Sequence, residues 1–205
     1  MGWYDRFVLP RAVHWACGLD PHMRQRAKVV PRARGRVLEI GVGSGLNLPL
    51  YDPAVVTKVW ALEPSAPLTR MAERAARATS LDVEFIGLPA EQIPLDDQSV
   101  DTVVVTYTLC TIPDVGAALR QMRRVLRPGG QLLFCEHGAA PDESVRRWQD
   151  RLNPLWKPLA GGCNLNRHVP SLIEAAGFRI TSLETMYLPG WRPASFNYWG
   201  AAVPR

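Results

Sequence analysis

The sequence predicts an α/β domain in which helices cover both faces of a mostly parallel sheet. Three observations lead to this fold class. The apolar run at 37–40 passes into a turn with glycine at positions 41, 43 and 45, which is typical of a buried strand followed by a helix start. The segment 97–107 contains an almost uniformly β-branched run, as expected of a strand that is buried on both faces. Helical periodicity follows the second and fourth predicted strands, and such alternation indicates a parallel sheet.

The other elements are predicted from periodicity and from turn residues. Residues 1–35 favour one or two short helices. Asp114 suits the N-cap of a later helix, and Asn153-Pro154 is expected to end another. The remaining predicted strands lie at 55–62, 83–86, 131–135, 178–187 and 196–203, and the predicted helices lie at 67–78, 115–126, 141–152 and 168–176.

Length and composition favour one globular domain. The 205 residues suit a single domain, which we assign to 1–205 with 1–35 as a helical N-terminal lid and 138–167 as a cap insertion. A hydrophobic content of 47% and a charged content of 21% are ordinary for a globular protein. We find neither a signal-peptide pattern nor a run of about 18 uncharged apolar residues, so we expect a cytoplasmic protein without a transmembrane segment.

Cysteine spacing and net charge limit the kinds of metal site, disulfide and binding partner that the sequence predicts. The cysteines stand far apart at positions 17, 110, 135 and 163, with no C-x-x-C pair and no paired histidine spacing. This spacing encodes neither a disulfide framework nor a zinc site, so the sequence predicts reduced thiols and no bound metal. A net charge of +5 permits anionic partners without requiring nucleic acid. Nothing in the sequence specifies an oligomeric state.

The glycine turn indicates a nucleotide-binding loop, because bound cofactors approach glycine backbone closely and such turns visit positive φ. The dinucleotide fingerprint G-x-G-x-x-G is excluded, since it would need glycine at position 46, which is Leu46. The stretch E-I-G-V-G-S-G resembles instead the first motif of the class I S-adenosylmethionine (SAM) dependent methyltransferases. On the residues alone, a tight turn without a ligand is the alternative.

Glu63 follows the second predicted strand, where a nucleotide-binding βαβ unit places the acid that binds both ribose hydroxyls. A surface glutamate at a strand end is the alternative. The resembled family commonly reads D-A-E after the third strand, whereas Pro89 precedes Ala90 and Glu91 here, which leaves adenine to the backbone at Ala90 and to Glu91. The resemblance implies SAM as cofactor, S-adenosyl-L-homocysteine as product, and a cofactor site made of Glu39, Gly41, Val42, Gly43, Gly45, Asn47, Glu63, Pro64, Ala90, Glu91 and Thr106.

The resemblance extends into the second half of the chain. The run R-R-V-L-R-P-G-G-Q-L-L-F is similar to a helix, turn and strand of small-molecule SAM methyltransferases. Between 106 and 167, T-L-C-T-I-P, E-H-G, W-Q-D, N-P-L-W-K and G-G-C-N-L-N-R resemble the methyltransferase-like thiol methyltransferases, which methylate small alkyl thiols. The class implies a seven-stranded Rossmann-like sheet with an antiparallel C-terminal strand pair. Those relatives carry an N-terminal membrane segment for which we find no counterpart, so membrane localisation is not carried over.

The narrower resemblance implies a small-molecule acceptor, a thiol first, with a phenol, an amine or a lipid head group as alternatives. A thiol has a pKa of about 8.5 and needs little help with deprotonation, whereas a hydroxyl or amine acceptor needs a base. His137, next to Glu136, is the candidate catalytic base, and a structural histidine is the alternative. Two aromatic segments, 3–7 and 148–167, are expected to roof the acceptor pocket. The candidate pocket residues are Tyr4, Cys110, Trp148, Trp156, Asn166 and Arg167.

The basic stretch 24–36 supports a rival class of function. It carries six arginine and lysine residues and no acid, which suits methylation of RNA or protein, or contact with a membrane surface; a solvated helix and linker is the plain alternative. The N-P-P-[YF] motif of many amino-methylating nucleic-acid enzymes is absent, since Thr106-Tyr107-Thr108 stands in its place. We therefore expect no stable nucleic-acid partner. A SAM-binding sensor without enzymatic activity stays open on the sequence.

Overall fold

The computed structural model describes residues 3–205, which form one seven-stranded sheet with helices packed around it. The strands are β1 (Gly35–Ile40), β2 (Val56–Leu62), β3 (Val83–Ile86), β4 (Val100–Thr106), β5 (Leu126–His137), β6 (Phe178–Tyr187) and β7 (Phe196–Pro204). Their order across the sheet is β3-β2-β1-β4-β5-β7-β6. Strands β1 to β5 pair in parallel, while β7 lies antiparallel between β5 and β6. The predicted fold class is confirmed.

The helices lie between the strands along the chain and before the first of them. They are α1 (Trp3–Phe7), α2 (Leu9–Cys17), α3 (Asp20–Val29), α4 (Ala66–Ala76), α5 (Val115–Val125), α6 (Glu143–Leu159), α7 (Val169–Ala175) and α8 (Arg192–Ser195), with short 3-10 helices at Val30–Arg32 and Leu48–Leu50. Within residues 3–205, none of these helices is both long enough and apolar enough to span a membrane.

Apolar cores cover both faces of the sheet, because successive side chains of a strand point to opposite faces. Leu38 and Ile40 of β1 belong to one core with Phe134, while Val37 of the same strand belongs to the other with Val104. All five side chains are fully buried, and each such burial contributes about 1.5–3 kcal/mol to folding. The sheet is therefore held from both sides, as its uniformly apolar strands predict.

Helix α5 begins after a capping residue, and strand β5 follows it directly. The predicted N-cap Asp114 accepts a hydrogen bond from the Ala117 amide at 2.8 Å. Helix α5 ends at Val125, and β5 begins at Leu126, five residues earlier than the predicted 131–135. The Arg-Pro-Gly-Gly sequence forms an irregular excursion inside this strand, which the positive φ of 82° at Gly129 permits.

The prediction that Asn153-Pro154 ends a helix is wrong. Helix α6 continues to Leu159 and contains both Pro154 and Pro158. Tertiary contacts stabilise this extension: Trp156 packs against Trp191 with ring centroids 5.6 Å apart, and the Asn153 side chain accepts a hydrogen bond from the Leu165 amide at 2.8 Å. Packing thus outweighs the intrinsic cost of proline inside a helix.

The basic stretch 24–36 does not form one exposed face. Arg26 is only 5% exposed on the inner side of α3. The Lys28 ammonium lies 3.9 Å from the centre of the Trp199 ring, and the Arg36 guanidinium lies 4.9 Å from that of Trp60. Lys28 is nevertheless exposed, as are Arg24, Arg32 and Arg34. The stretch therefore combines one buried cation with solvent-exposed charges.

Candidate active site

A cavity of about 350 Å³ opens at the carboxyl ends of the parallel strands, where ligands of open α/β sheets bind. Ile40, Leu62 and Thr106, the last residues of β1, β2 and β4, contribute to its lining. Most of the predicted cofactor residues line it, namely Gly41, Val42, Gly43, Glu63, Pro64, Ala90, Glu91 and Thr106. The other three, Glu39, Gly45 and Asn47, lie outside this lining.

The glycine loop has the backbone that only glycine adopts easily. Gly41, Gly43 and Gly45 have φ values of 65°, 57° and 84°. Gly43 borders the cavity, and a Cβ there would make only an ordinary contact of 3.9 Å with the Gly41 carbonyl oxygen. A Cβ at Gly41 would overlap the Thr108 side chain, and one at Gly45 would lie 2.9 Å from the Ala75 Cβ of helix α4. The loop therefore leaves room for a ligand at Gly43, whereas Gly41 and Gly45 allow its close packing on the protein.

The Glu63 carboxylate links the glycine loop to the turn after β2. Its two oxygens accept hydrogen bonds from the Gly43 amide at 3.1 Å and from the Ser65 amide at 2.9 Å. Burial raises the pKa of Glu63, while the two backbone hydrogen bonds act in the opposite direction. The carboxylate is thus held by backbone at the cavity wall, and it retains lone pairs that can accept further hydrogen bonds from a ligand.

Sequence relatives of this chain are methyltransferases with differing acceptors. Residues 38–134 match a family model described as a methyltransferase domain. Thiol S-methyltransferase TMT1B of Homo sapiens is 36% identical over 178 residues, which cover 83% of this chain and 72% of the relative. Demethylmenaquinone methyltransferase of Thermus thermophilus is 30% identical over 166 residues, which cover 77% of this chain and 76% of that protein. This chain belongs to the SAM-dependent methyltransferases. The predicted class and its cofactor, SAM, are thereby confirmed.

The methyltransferase fold is also found among solved structures. A SAM-dependent methyltransferase of Thermotoga maritima, described as a possible histamine N-methyltransferase, superposes with a TM-score of 0.68 over 98% of both chains. Its sequence identity to this chain is 21%, so the likeness concerns the fold alone.

A buried polar network lies behind the cavity. The Asn47 amide donates to Glu39 and to Thr106, both at 2.9 Å, and the Tyr51 hydroxyl donates to the second Glu39 oxygen at 2.8 Å. Burial raises the pKa of Glu39 to about 7, although the bonds from Tyr51 and Asn47 and the charge of Arg26 lower it. The network joins β1 to the end of β4 and supports the cavity from behind.

Arg26 is a cavity residue that the sequence analysis missed. Its guanidinium donates to the Asn47 side-chain oxygen at 3.0 Å and also bonds the Thr106 hydroxyl. Among the described side chains, no carboxylate forms a salt bridge with it, and its buried Nε has no hydrogen-bond partner. A buried cation without a paired anion is costly, so the cavity is electrostatically suited to a ligand carboxylate. Its place in a basic run was the only sequence signal, and burial was not readable from it.

The outer wall of the cavity is apolar and comes from outside the sheet. Helix α2 contributes Leu9, Pro10, Val13 and Cys17, and the segment after α6 contributes Ala160 and Gly161. Leu9 also packs against Gly161, where an added Cβ would lie 2.9 Å from its Cδ2. The N-terminal helices and the end of the predicted cap therefore meet beside the cavity.

The predicted acceptor residues lie around this wall without lining the cavity. Tyr4 donates to the Leu159 carbonyl at 2.9 Å, Asn166 donates to Asp150 at 2.8 Å, and Arg167 donates to the Leu109 carbonyl. Trp148 is 54% exposed, and Trp156 packs against Trp191. The polar groups of Tyr4, Asn166 and Arg167 thus make contacts within the protein, whereas the buried indole nitrogen of Trp156 has no hydrogen-bond partner. As contacts of an acceptor they stay a prediction.

The remaining two predicted residues, Cys110 and His137, meet Cys163 in a cluster behind the wall. His137 Nε2 lies 3.2 Å from the Cys163 sulfur, and the three potential donor atoms lie within 4.8 Å of one another. The hydrogen bond from Cys110 lowers the pKa of Cys163, and the charge of His137 acts in the same direction. None of the three lines the cavity, so the structure does not place His137 against a bound acceptor. The exclusion of a metal site from cysteine spacing no longer follows, because the fold brings distant residues together.

Glu136 positions the backbone that leads to this cluster. It is completely buried, and one carboxylate oxygen accepts hydrogen bonds from the Thr108 amide at 2.8 Å and the Leu109 amide at 3.0 Å. Burial raises the pKa of Glu136 to about 7, against these two backbone bonds. The sequence analysis named Glu136 only as the neighbour of His137, whereas the structure gives it a clear role in shaping the loop after β4.

We expect Gly45→Ala to lower the free energy of unfolding more than Gly129→Ala does. Both glycines have φ near 80°, so both variants bear backbone strain of about 1–2 kcal/mol. At Gly45 the new methyl also overlaps Ala72 and Ala75, whereas nothing lies within 4 Å at Gly129. Urea unfolding of the two variants measures the difference. Equal losses would show that α4 does not press on the glycine loop.

Proposed function

We propose that this methyltransferase transfers the methyl group of SAM to a small thiol. The observation that supports a thiol most directly is the 36% identity to a thiol S-methyltransferase over 83% of the chain. The narrower resemblance between 106 and 167 points the same way. The apolar wall formed by Leu9, Val13 and Ile112 suits an acceptor with a small hydrophobic body.

The residues of the cavity fit SAM group by group. The Glu63 carboxylate suits the two ribose hydroxyls, and backbone at Ala90 with Glu91 suits the adenine edge. Positive φ at Gly41 and Gly43 lets the loop approach the ligand without Cβ atoms. Arg26 suits the carboxylate of the amino-acid tail, which would supply the anion that this buried guanidinium lacks.

Little acid–base chemistry is required of the protein for a thiol acceptor. SAM, when bound, supplies a methyl group on a positively charged sulfur. A thiol has a pKa of about 8.5, so about 3% of it is already thiolate at pH 7 and no general base is needed. The work of the chain is then to align the acceptor and to exclude water, which α2 and the segment after α6 do at the open side of the cavity.

The geometry gives less support to a macromolecular acceptor. A cavity of about 350 Å³ is at the small end of ligand pockets, and helix α2 lies along its outer side. Arg26 is buried and Arg36 lies over the Trp60 ring, which interrupts the row of charges in the stretch 24–36 that phosphates would contact. Methylation of RNA or protein is therefore the weaker proposal.

Glu63→Gln is expected to weaken binding of S-adenosyl-L-homocysteine by about 1–3 kcal/mol, because an amide accepts fewer and weaker hydrogen bonds from two hydroxyls than a carboxylate does. Isothermal titration calorimetry measures the affinity. Glu84→Gln is the matched control, since Glu84 pairs with Lys58 away from the cavity and half of its side chain is exposed. Unchanged affinity in Glu63→Gln would remove this carboxylate from the cofactor site.

Turnover of small thiols is expected to rise with pH toward the thiol pKa of about 8.5, since the thiolate is the nucleophile. Mass spectrometry of products, after incubation with isotope-labelled SAM and a mixed panel of thiols, phenols, amines and RNA, identifies the acceptor. Labelled thioethers are the expected products. Methylation of a phenol, an amine or RNA with every thiol inert would refute the thiol proposal.

A further inference from the structure

Three soft metal-binding groups converge behind the outer wall of the cavity. Cys110 lies in the loop after β4, His137 ends β5, and Cys163 follows α6. Their donor atoms all lie within 4.8 Å of one another, and the closest pair, Cys163 Sγ and His137 Nε2, is 3.2 Å apart. Cys110 is 4% exposed, so the cluster is shielded from bulk water on at least that side. The cavity residues described above do not include any of the three.

The donor set and its dimensions suit a zinc ion. Two cysteine sulfurs and one imidazole nitrogen form a Cys₂His set, and zinc is typically bound by such ligands in tetrahedral geometry. Bond lengths of about 2.3 Å to sulfur and 2.0–2.1 Å to nitrogen imply separations between ligand atoms of roughly 3.5–3.8 Å. The closest pair of donor atoms is 3.2 Å apart and no pair is more than 4.8 Å apart, a range that includes these values. Side-chain adjustments of up to about 1 Å would complete the site.

Hydrogen bonds that do not use the three metal-binding side chains already fix the backbone around Cys110 and Cys163. The Cys110 carbonyl accepts from the Asn164 amide at 2.9 Å and from its side chain at 2.8 Å, which joins the loop of Cys110 to that of Cys163. The Glu136 carboxylate holds the amides of Thr108 and Leu109 just before Cys110. Positions fixed in this way before a metal binds are a feature of metal sites in proteins.

We propose that Cys110, His137 and Cys163 form a binding site for zinc. Bound zinc would connect the end of β4, the end of β5 and the chain after α6, and so hold the outer wall of the cavity against the sheet. It would also stabilise two thiolates that are otherwise costly to bury close together. On coordination, the protons of the two thiols pass to solvent water and each sulfur donates an electron pair to the metal.

Three protein ligands leave a fourth position for an external ligand, as in catalytic zinc sites. Thr111 follows Cys110 and lines the cavity, as does Gly161 two residues before Cys163. In each of these two loops, the cluster is therefore one or two residues away from the cavity lining. A thiol acceptor that passed between Thr111 and Gly161 would place its sulfur at the fourth position, a step that rests on the proposed function.

Zinc content of the full chain, purified without chelators, tests the site independently of activity. We expect about one zinc per chain in the wild type and at least about tenfold weaker zinc binding in Cys163→Ser and in Cys110→Ser. Cys135→Ser is the matched control, because Cys135 is also buried and lies outside the cluster, and it should retain zinc. Zinc binding that is equal in Cys163→Ser and in the wild type would overturn the proposal.

Cobalt replacement keeps the test decisive if a variant fails to fold. Wild-type protein loaded with Co²⁺ should show a near-ultraviolet sulfur-to-cobalt absorption band, and a chelator should lower its unfolding temperature. A protein that takes up neither zinc nor cobalt, or takes up cobalt without that band, refutes the site and shows that the cluster is only a hydrogen-bonded group of thiols and imidazole.

Addition of an acceptor thiol without SAM tests the fourth position. A shift of the cobalt spectrum supports coordination of the acceptor, and an unchanged spectrum together with thiol turnover restricts the metal to a structural role. Thiol turnover by metal-free protein would refute coordination of the acceptor by zinc, and it would leave both the zinc site and the proposed function intact. If zinc binds but no thiol is methylated, the metal site is supported and the thiol proposal is refuted.

Discussion

The buried guanidinium of Arg26 is the contact on which the arrangement of the cavity depends. It reaches from α3 to Asn47 and Thr106, and so joins the N-terminal helices to the ends of β1 and β4. With α3 held in this way, α2 lies across the open side of the cavity and supplies most of its apolar outer wall. Burial of a charge without a paired anion costs free energy, so a ligand with a carboxylate in the cavity would stabilise the buried Arg26 guanidinium.

Two buried carboxylates arrange the backbone on either side of Arg26. Glu63 accepts hydrogen bonds from both the glycine loop and the turn after β2, which fixes the cofactor side of the cavity. Glu136 accepts two from the loop after β4, which fixes the side that leads to the cluster of Cys110, His137 and Cys163. In each case a single side chain satisfies amides at a strand end that would otherwise need water. The cavity is thereby preorganised by the protein.

Much of the fold follows from local sequence patterns. The apolar strands β1 to β4, the glycine turn and the Asp114 cap depend on neighbouring residues, and they are found where the sequence predicts them. The path of α6 through Pro154 and Pro158 depends on packing against Trp191, a residue far along the chain, and local rules place the helix end too early. The excursion inside β5 is likewise set by pairing with β4.

Some residues of the candidate site are likewise predictable from local sequence, and others are not. Gly41, Gly43 and Glu63 line the cavity as predicted, because they belong to a glycine turn and to a strand end, which are visible in the sequence. Arg26 is hidden in a run of bases, and only the fold shows that it is buried. The cluster of Cys110, His137 and Cys163 has no local spacing motif, so its existence follows only from the meeting of three strand and loop ends.

A crystal structure of the protein with S-adenosyl-L-homocysteine tests the account most directly. The account predicts ribose hydroxyls within hydrogen-bond distance, about 2.6–3.2 Å, of the Glu63 carboxylate, and the amino-acid carboxylate of the ligand paired with Arg26. It also predicts that the sulfur faces the wall formed by α2 and Gly161. A nucleoside bound elsewhere, or a tail carboxylate that leaves Arg26 unpaired, would contradict it.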